Sequence, residues 1–278
     1  LREDLSRRDF TINAMAYHPE EGLRDLYSGQ ADLRRGLIRC VGVPDLRFHE
    51  DALRILRALR FSSQLGFPVE EQTAAALRRN RELLQNIAAE RLCQELLKLL
   101  CGKDVRRVLL EYPEVLAQVI PELAPMVGFQ QHNRYHAYDV YEHTARCVEA
   151  APPQPVVRLT VLLHDVGKPS CFTMDAEGVG HFYGHQAAGA AMVRGILERL
   201  RLPTRTVEAV ERLVTYHDVQ IEPRENRIRR WLNRLGEEEF RWLLEVKRAD
   251  ILGQNPALKD RVADIEELSR LTDKVIAE

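Results

Sequence analysis

Apolar residues recur at helical spacing through most of the chain after residue 47. The clearest case is AERLCQELLKLLC at 89–101, where apolar side chains fall three and four positions apart, as on one face of a helix. Glycine and proline separate such segments. The pattern predicts consecutive helices at 47–64, 70–80, 89–101 and 103–111. Residues 173–184, TMDAEGVGHFYG, lack this pattern and predict a loop or a small hairpin.

The beginning of the chain has a different pattern. Thr11 to Tyr17 predicts a short helix with Thr11 as its N-cap, and strand-like GLRDLYS and GLIRCVG follow before Pro44. The predicted fold is therefore mainly α. We expect an α/β remnant at 1–45, an all-α segment at 46–127 and a second all-α domain at 128–278.

Composition limits the class of protein without deciding it. The chain has 278 residues, 45% hydrophobic and 29% charged, which is ordinary for globular domains and enough for two cores. Its net charge of −2 gives no electrostatic argument for RNA binding. The basic clusters are interpreted as solvated helix surface rather than as phosphate tracks. They are Arg78–Arg79–Arg81, Arg106–Arg107 and Arg227–Arg229–Arg230.

The cysteines and the hydropathy indicate a compartment. There are five cysteines without the spacing of a disulfide framework, and Cys40, Cys93 and Cys147 lie in apolar surroundings typical of reduced core thiols. No apolar run reaches spanning length, and no signal peptide is present. The sequence predicts a cytoplasmic protein that does not associate with a membrane, and it leaves the oligomeric state open.

Histidines and aspartates in the second half carry metal-ligand chemistry. His164 and Asp165 end an apolar run in VLLHDVGKP, where burial would be costly without a partner that a metal supplies. The full predicted set is His143, His164, Asp165, His185, His217 and Asp250. Imidazole and carboxylate ligands suit Mn, Ni, Co, Fe, Zn or Mg. A lone histidine such as His217 is more often structural, whereas HDVGK is much more specific.

These residues resemble the HD superfamily of metal-dependent phosphohydrolases. The resemblance implies a core site of His143, His164, Asp165 and Asp250, with His185 and His217 as the extra ligands of the two-metal subgroup. It further implies that Asp165 bridges the metals as a catalytic residue and that Lys168 contacts a phosphate oxygen. The nearby histidines are interpreted as loop or outer residues. They are His132, His136 and His181.

The first sixty residues indicate a different chemistry. Asp51 and Arg54, in EDALR, lie three apart on the predicted helix and therefore on one face. Such a carboxylate and guanidinium match the edges of cytosine and adenine but not those of uracil and guanine. Arg57 continues that face, to brace Asp51 or to meet a phosphate. The alternative is that Arg47, Arg54, Arg57 and Arg60 only form the solvent-exposed face of an amphipathic helix.

These segments resemble the class II CCA-adding tRNA nucleotidyltransferases and the related bacterial poly(A) polymerases. The motifs are RRDFTINAMA, DLYSG, EDALR and RALRFSSQLGF. The resemblance implies that the ribose and phosphates are contacted by Arg7, Arg8, Asp9 and Asn13, and that the base is read by Asp51 and Arg54 with Arg57 beside them. It makes residues 1–45 the end of a catalytic head domain and 46–127 the helical neck and body.

The head domain of that family carries a Gly-Ser loop and a D-x-D carboxylate pair, and neither occurs in this sequence. We therefore expect a fragment that does not itself transfer nucleotides. The intact protein is expected to add CMP and AMP to tRNA 3′ ends, with tRNA, CTP and ATP as partners and Mg²⁺ as cofactor. The fused HD domain is expected to act as a phosphatase or 2′,3′-cyclic phosphodiesterase. Two alternatives remain: a poly(A) polymerase relative, and a non-catalytic RNA-binding module with a structural metal.

Overall fold

The computed structural model describes residues 1–133, 137–254 and 260–278. Most described residues are helical, which confirms the prediction of a mainly α fold. The chain divides into two compact units, Leu1–Pro121 and Glu122–Glu278. The finer predicted division at residues 45 and 127 stays a prediction.

The first unit contains eight short helices and one hairpin among its described elements. The helices are α1 (Arg2–Ser6), α2 (Gly29–Arg35), α3 (Pro44–Glu50), α4 (Leu53–Leu65), α5 (Glu71–Arg79), α6 (Ala89–Leu100), α7 (Val105–Glu111) and α8 (Pro113–Val119). The strands are β1 (Met15–His18) and β2 (Gly22–Asp25), which pair antiparallel with Met15 opposite Asp25. Turns of 3₁₀ helix lie at Thr11–Asn13, Arg81–Asn86 and Pro121–Met126.

The prediction of a helix from Thr11 to Tyr17 was wrong. The 3₁₀ turn stops at Asn13, and β1 begins at Met15. Thr11 is not a cap, because its hydroxyl donates to the buried carboxylate of Asp32 at 2.6 Å. The pairing of β1 with β2 supplies backbone hydrogen bonds that no local pattern reveals. The strand predicted at GLIRCVG is reduced to isolated bridges at Ile38 and Cys40.

The helix predicted at 47–64 is interrupted at Asp51. Asp51 adopts an extended conformation (φ −150°, ψ 100°) and ends α3, and α4 begins at Leu53. The Asp51 Oδ1 accepts a hydrogen bond from the N–H of Leu53 at 3.1 Å. This local bond satisfies an otherwise orphaned donor at the start of α4. Asp51 and Arg54 therefore do not share one helix face as predicted.

The core of the first unit forms where α4 packs against α6 and α7. The apolar faces of these helices meet through side chains that are fully buried. Examples are Ile55, Leu56, Leu59, Leu96, Leu99 and Val108. Gly102 lies so close to Ser63 that a side chain at this glycine would collide with the backbone of α4. The predicted helices at 70–80, 89–101 and 103–111 are confirmed to within two residues at each end.

The second unit is built from six helices in its described part. They are α9 (Val140–Ala150), α10 (Pro155–Leu163), α11 (His185–Arg199), α12 (Thr204–Tyr216), α13 (Glu225–Gly253) and α14 (Val262–Ala277). The loop predicted at 173–184 contains a small hairpin, β3 (Thr173–Met174) and β4 (Gly180–His181). A 3₁₀ turn lies at Pro169–Cys171. α13 is kinked at Gly236, whose φ of 75° belongs to the left-handed region.

Helix α10 is the centre of this unit. All of its residues from Val157 to Leu163 are buried, and it packs against α9, α12 and α13. Apolar residues occupy most of its positions, which is typical of a helix enclosed on every side. Its two polar side chains, Arg158 and Thr160, donate to backbone carbonyls. The chain that leaves α10 therefore starts in the interior. No described helix is long and apolar enough to cross a membrane.

We expect Asp51→Ala to destabilise α4 by about 1 kcal/mol, because the N–H of Leu53 loses its acceptor. Native-state hydrogen exchange of the α4 amides measures this change. Asp51→Asn is the matched control: it keeps a capping oxygen and loses only the exposed ion pair with Arg91, which contributes little. Equal losses in both variants would contradict the capping role.

Candidate metal centre and nucleotide site

The six predicted metal ligands converge in the second unit from five helices. His143 lies within α9, His164 and Asp165 follow α10, His185 begins α11, His217 follows α12, and Asp250 lies near the end of α13. Five of the six residues are at most 7% exposed. The Asp250 side chain is 18% exposed. The structure thus brings together residues that are up to 107 positions apart in the sequence.

The first group consists of His143, His164 and Asp250. The Nε2 of His143 lies 3.1 Å from Asp250 Oδ1, and the Nε2 of His164 lies 3.7 Å from the same oxygen. Both nitrogens also face Asp165 Oδ2, at 3.4 Å from His143 and 3.2 Å from His164. These atoms surround one point, as ligands of a single ion do.

The second group consists of His185 and His217 with the other oxygen of Asp165. The two Nε2 atoms are 3.3 Å apart, and they lie 3.6 and 3.9 Å from Asp165 Oδ1. The two oxygens of Asp165 therefore face different pairs of histidines. This is the arrangement of a carboxylate that bridges two metal positions.

Each of the four histidines directs Nδ1 at a backbone carbonyl. The acceptors are Gly253 for His143, Val161 for His164, Phe182 for His185 and Val214 for His217, with N···O distances of 3.1, 2.7, 2.8 and 2.6 Å. A carbonyl only accepts, so each Nδ1 carries the proton and each Nε2 faces the cluster. Such a contact fixes the ring orientation and the tautomer that metal-binding histidines need.

Burial and the attraction between neighbouring charges have opposite effects on the pKa values in this cluster. Burial would raise the pKa of Asp165, but the nearby charges of His164 and Lys168 hold it well below its usual range. Burial likewise opposes charge on His164, yet the attraction of Asp165 raises its pKa to about 10. Burial and the charge of His164 lower the pKa of His217 to about 3. Without metal, His164 therefore holds a proton that His217 does not.

The six side chains are better placed to coordinate a metal ion than to hydrogen-bond with one another. His164 is 1% exposed, and its Nε2 has no hydrogen bond of acceptable geometry within the described residues. A buried polar atom of this kind is costly unless it is coordinated. The donors are imidazole nitrogens and carboxylate oxygens, which suit borderline and hard divalent ions. The metal-ligand role of the six residues remains a proposal.

Lys168 lies at the same site. Its Nζ is 2.7 Å from Asp165 Oδ2 and donates to Gln131 Oε1 at 2.8 Å. The residue is only 5% exposed, and Phe182 covers it with a ring centroid 5.3 Å from Nζ. The cation is thus held beside the bridging carboxylate rather than extended into solvent.

Sequence reasoning treated Cys147 as an ordinary core thiol and missed its position. Its Sγ lies 3.5 Å from Nε2 and 3.6 Å from Nδ1 of His143. Nearly equal distances place the sulfur against the ring rather than in line with the Nε2 lone pair. Gly253 leaves room for it, since a side chain there would collide with Sγ. The i, i+4 spacing from His143 was the available signal.

The other nearby histidines are outside the cluster where they are described. His181 on β4 pairs with Asp175 at 2.7 Å and stacks on Tyr183. His132 lies in a loop, as predicted, and its carbonyl accepts from Gly180. His136 lies outside the described residues.

A cavity of about 460 Å³ opens at the cluster. Its lining includes His217 and Asp250, so two of the predicted ligands are reached from it. The wall carries charges of both signs: the cations Lys247 and Arg261, and the carboxylates Asp218, Glu222 and Asp264. Burial lowers the pKa of Lys247 to about 8, and its Nζ donates to the carbonyl of His217 at 2.6 Å. The cavity gives a substrate a route to His217 and Asp250.

In the first unit, three predicted nucleotide-binding residues meet around Asp9. Its Oδ2 accepts from Arg57 Nε at 2.9 Å and Nη2 at 2.5 Å, and its Oδ1 accepts from Asn13 at 3.2 Å and from the N–H of Phe10 at 2.8 Å. Asp9 is 8% exposed. The bidentate pair is a strong, directional contact. It makes Arg57 a partner of Asp9 rather than of Asp51.

Arg54 makes separate contacts, mainly with the backbone. Its guanidinium donates to the carbonyls of Arg7 at 2.8 Å and Arg47 at 3.1 Å, and to Glu50 Oε2 at 3.0 Å. The side chain is only 14% exposed. Arg54 therefore ties α4 to the segment that follows α1.

The remaining predicted residues of this site lie apart from Arg54. Asp51 Oδ2 accepts from Arg91 at 3.2 Å. The Arg7 and Arg8 side chains are largely exposed and pair with Glu3 and Asp4 within α1. The side chains of Arg7, Arg8 and Asp51 are thus not assembled around a common point in this structure.

Comparisons with known proteins agree with both units. Three family models match: "Poly A polymerase head domain" at residues 1–39, "Probable RNA and SrmB- binding site of polymerase A" at 66–127, and "HD domain" at 133–253. The fold and the clustered ligands thus define a nucleotidyltransferase-type neck joined to an HD domain. The chain thus combines the poly(A) polymerase head and RNA-binding families with an HD domain, and it is similar to curated tRNA nucleotidyltransferases.

Two relatives and one structure show the extent of the likeness. An A-adding tRNA nucleotidyltransferase of Deinococcus radiodurans is 37% identical over 250 residues, 85% of this chain and 57% of that protein. A CCA-adding enzyme of Lactobacillus delbrueckii subsp. bulgaricus is 49% identical over 125 residues, 45% of this chain and 31% of that protein. The crystal structure of the Bacillus stearothermophilus CCA-adding enzyme with CTP has a TM-score of 0.70 at 28% identity, covering 98% of this chain and 59% of that one. The chain thus spans under two thirds of each.

We expect metal binding to the second unit to release protons and to strengthen as pH rises through the neutral range. The pKa values of His143 and His164 are raised, so a metal must displace protons from their Nε2 atoms. Isothermal titration calorimetry with Mn²⁺ or Ni²⁺ in two buffers of different ionisation enthalpy measures the protons released. Identical binding enthalpies in the two buffers would contradict the prediction.

Proposed function

We propose that the second unit is a metal-dependent phosphohydrolase. The observation that carries this proposal is the bridging position of Asp165 between two groups of histidines. Two bound divalent ions would lower the pKa of water and neutralise charge on a phosphoryl group. The proposed ligands are His143, His164, Asp165, His185, His217 and Asp250, and the proposed metal is Mn, Ni, Co, Fe or Zn.

Asp165 and Lys168 are the proposed catalytic residues of this unit. Asp165 would serve as a ligand to both ions, since its two oxygens face different groups of histidines. Lys168 provides a cation 2.7 Å from that carboxylate, where it is placed to bind a phosphate oxygen that enters the site. The proposed substrates are phosphate monoesters or 2′,3′-cyclic phosphates at RNA ends.

We expect Asp165→Asn to abolish metal-stimulated hydrolysis of 2′,3′-cyclic AMP, because an amide cannot bridge two cations as a carboxylate does. Turnover and metal content, measured by inductively coupled plasma mass spectrometry, test this together. Asp273→Asn is the matched control, since that carboxylate is exposed and pairs with Arg241 on the surface. Full activity in Asp165→Asn would refute the catalytic site. Bound metal without turnover in the wild type would support a structural metal instead.

We propose that the first unit is the nucleotide- and tRNA-binding part of a CCA-adding tRNA nucleotidyltransferase. The matches to the head-domain and RNA-binding families support this, and so does the hydrogen-bonded cluster of Asp9, Asn13 and Arg57. The proposed ligands are CTP and ATP, with Mg²⁺ as the cofactor of nucleotidyl transfer and tRNA as the partner. The five free cysteines support a cytoplasmic location.

A second candidate is addition of A alone. It is favoured by the Deinococcus radiodurans relative, an A-adding enzyme that is 37% identical over 85% of this chain. The contacts of Arg54 and Asp51 are the physical basis for either specificity. Both side chains must exchange their present partners for a base edge, because Arg54 is bonded to backbone carbonyls and Asp51 to Arg91.

Nucleotide binding to the purified chain tests these two candidates. Ligand-observed NMR measures the binding of CTP, ATP, UTP and GTP. We expect CTP and ATP to bind in preference to UTP and GTP. Arg54→Lys should reduce that preference at least about tenfold, because lysine lacks the planar guanidinium that donates two parallel hydrogen bonds. Arg34→Lys, an exposed position on α2, is the control. A preference for ATP alone would favour A-only addition. Equal binding of all four nucleotides would contradict the proposal that this unit discriminates between bases.

A further inference from the structure

A second cavity adjoins the one that opens at the metal cluster. It has a volume of about 400 Å³. Gln220, Ile221 and Glu222 line both cavities, so the two are adjacent along this segment. The first cavity reaches His217 and Asp250, whereas the second leads away from them. A substrate longer than one nucleotide would therefore extend into the second cavity.

One face of α13 forms the wall of the second cavity. Arg227, Arg230, Trp231 and Arg234 all line it. Their spacing of three, four and seven residues places them on one side of the helix. The arginines are exposed, and the tryptophan is half-buried. The helix thus contributes three cations and one large aromatic ring to the wall, which also includes the segment Gln220–Glu222.

The charges on this face are largely uncompensated. Arg227 lies 3.7 Å from Glu222, which Arg224 also approaches at 3.5 Å. Arg230 and Arg234 have no carboxylate partner within the residues that the structure describes. By contrast, the neighbouring Arg229 faces elsewhere and pairs with Glu278 at 2.6 Å. All three arginines of the cluster predicted as solvated surface are exposed, and Arg229 alone does not line the cavity.

Aromatic rings lie among these cations. The Arg234 guanidinium is 5.3 Å from the centroid of Trp231 and 5.6 Å from that of Tyr216. Trp231 is held in place by an edge contact with Tyr216 and a parallel contact with Phe240. A fixed aromatic ring beside guanidinium groups that have no carboxylate partner is the combination by which proteins bind single nucleic-acid strands. The cations pair with phosphates and the rings stack on bases.

We propose that this face of α13 binds the strand of a single-stranded RNA whose 3′-terminal phosphate lies at the metal cluster. The proposal rests on the proposed phosphohydrolase function, and it adds a surface that binds the strand preceding the RNA end. The terminal phosphate enters the first cavity beside His217 and Asp250. The preceding nucleotides pass Gln220–Glu222, and their phosphates pair with Arg230 and Arg234 while a base stacks on Trp231.

The test compares two substrates in three proteins. The substrates are a short oligoribonucleotide with a 2′,3′-cyclic phosphate end and 2′,3′-cyclic AMP. The proteins are the wild type, Arg230→Gln/Arg234→Gln, and the control Arg201→Gln/Arg270→Gln, which removes the same charge from exposed positions outside both cavities. We expect the first double variant to raise KM for the oligoribonucleotide roughly tenfold. Its kcat, and its KM for 2′,3′-cyclic AMP, should not change.

A binding measurement gives a readout without turnover. Fluorescence anisotropy of a labelled single-stranded RNA ending in a 3′-phosphate is followed as salt rises. The slope of log Kd against log salt should fall by about 1.4 in the Arg230→Gln/Arg234→Gln variant, since each lost phosphate contact removes about 0.7. Trp242→Phe leaves Trp231 as the sole tryptophan, and quenching of its fluorescence by RNA reports stacking.

The outcomes separate the two proposals. Hydrolysis of 2′,3′-cyclic AMP with unchanged KM and salt slope in the Arg230→Gln/Arg234→Gln variant overturns the RNA face and keeps the phosphohydrolase. RNA binding with the expected slope change but without hydrolysis keeps the RNA face and overturns the phosphohydrolase. Equal effects in the control variant show a general charge effect and overturn the RNA face.

Discussion

The second unit depends on the burial of one carboxylate, Asp165, between two groups of imidazoles. A carboxylate that is 1% exposed is very costly unless positive charge surrounds it. His143 and His164 approach one oxygen and His185 and His217 the other, so helices α9 to α12 must all converge on this residue. The apolar helix α10 carries Asp165 into the interior. The rest of the helix packing follows from bringing its partners there.

Part of this site could be predicted from the sequence because its signals are local. The run VVRLTVLL places His164 and Asp165 at the end of a buried helix, and two buried polar residues there require partners. The fixed orientation of the rings could not be predicted. It depends on Nδ1 contacts with carbonyls at the ends of helices, and for His143 the acceptor is 110 residues away at Gly253. The position of Cys147 against that ring depends on the same distant glycine.

The errors in the first unit have the same physical origin. Thr11 to Tyr17 has local helix signals, but antiparallel pairing with the segment after Gly22 forms β1 instead. Thr11 donates to Asp32, twenty-one residues on, rather than capping a helix. At Asp51 the side chain offers the backbone a local hydrogen bond that competes with helix continuation. Helical periodicity at 47–64 records the burial of apolar residues and does not detect such an interruption.

Helix α13 joins two kinds of surface in one element, and Gly236 separates them. The segment before the kink carries the cations and the tryptophan of the second cavity, and the segment after it carries Asp250 at the metal cluster. A φ of 75° at Gly236 strains any residue with a side chain, so the bend is fixed by the sequence rather than by packing alone. The bend matters because Asp250 must be buried among histidines while the arginines stay in solvent. A straight amphipathic helix presents one buried and one solvated stripe along its whole length, whereas a kink lets the buried face change direction between the two halves.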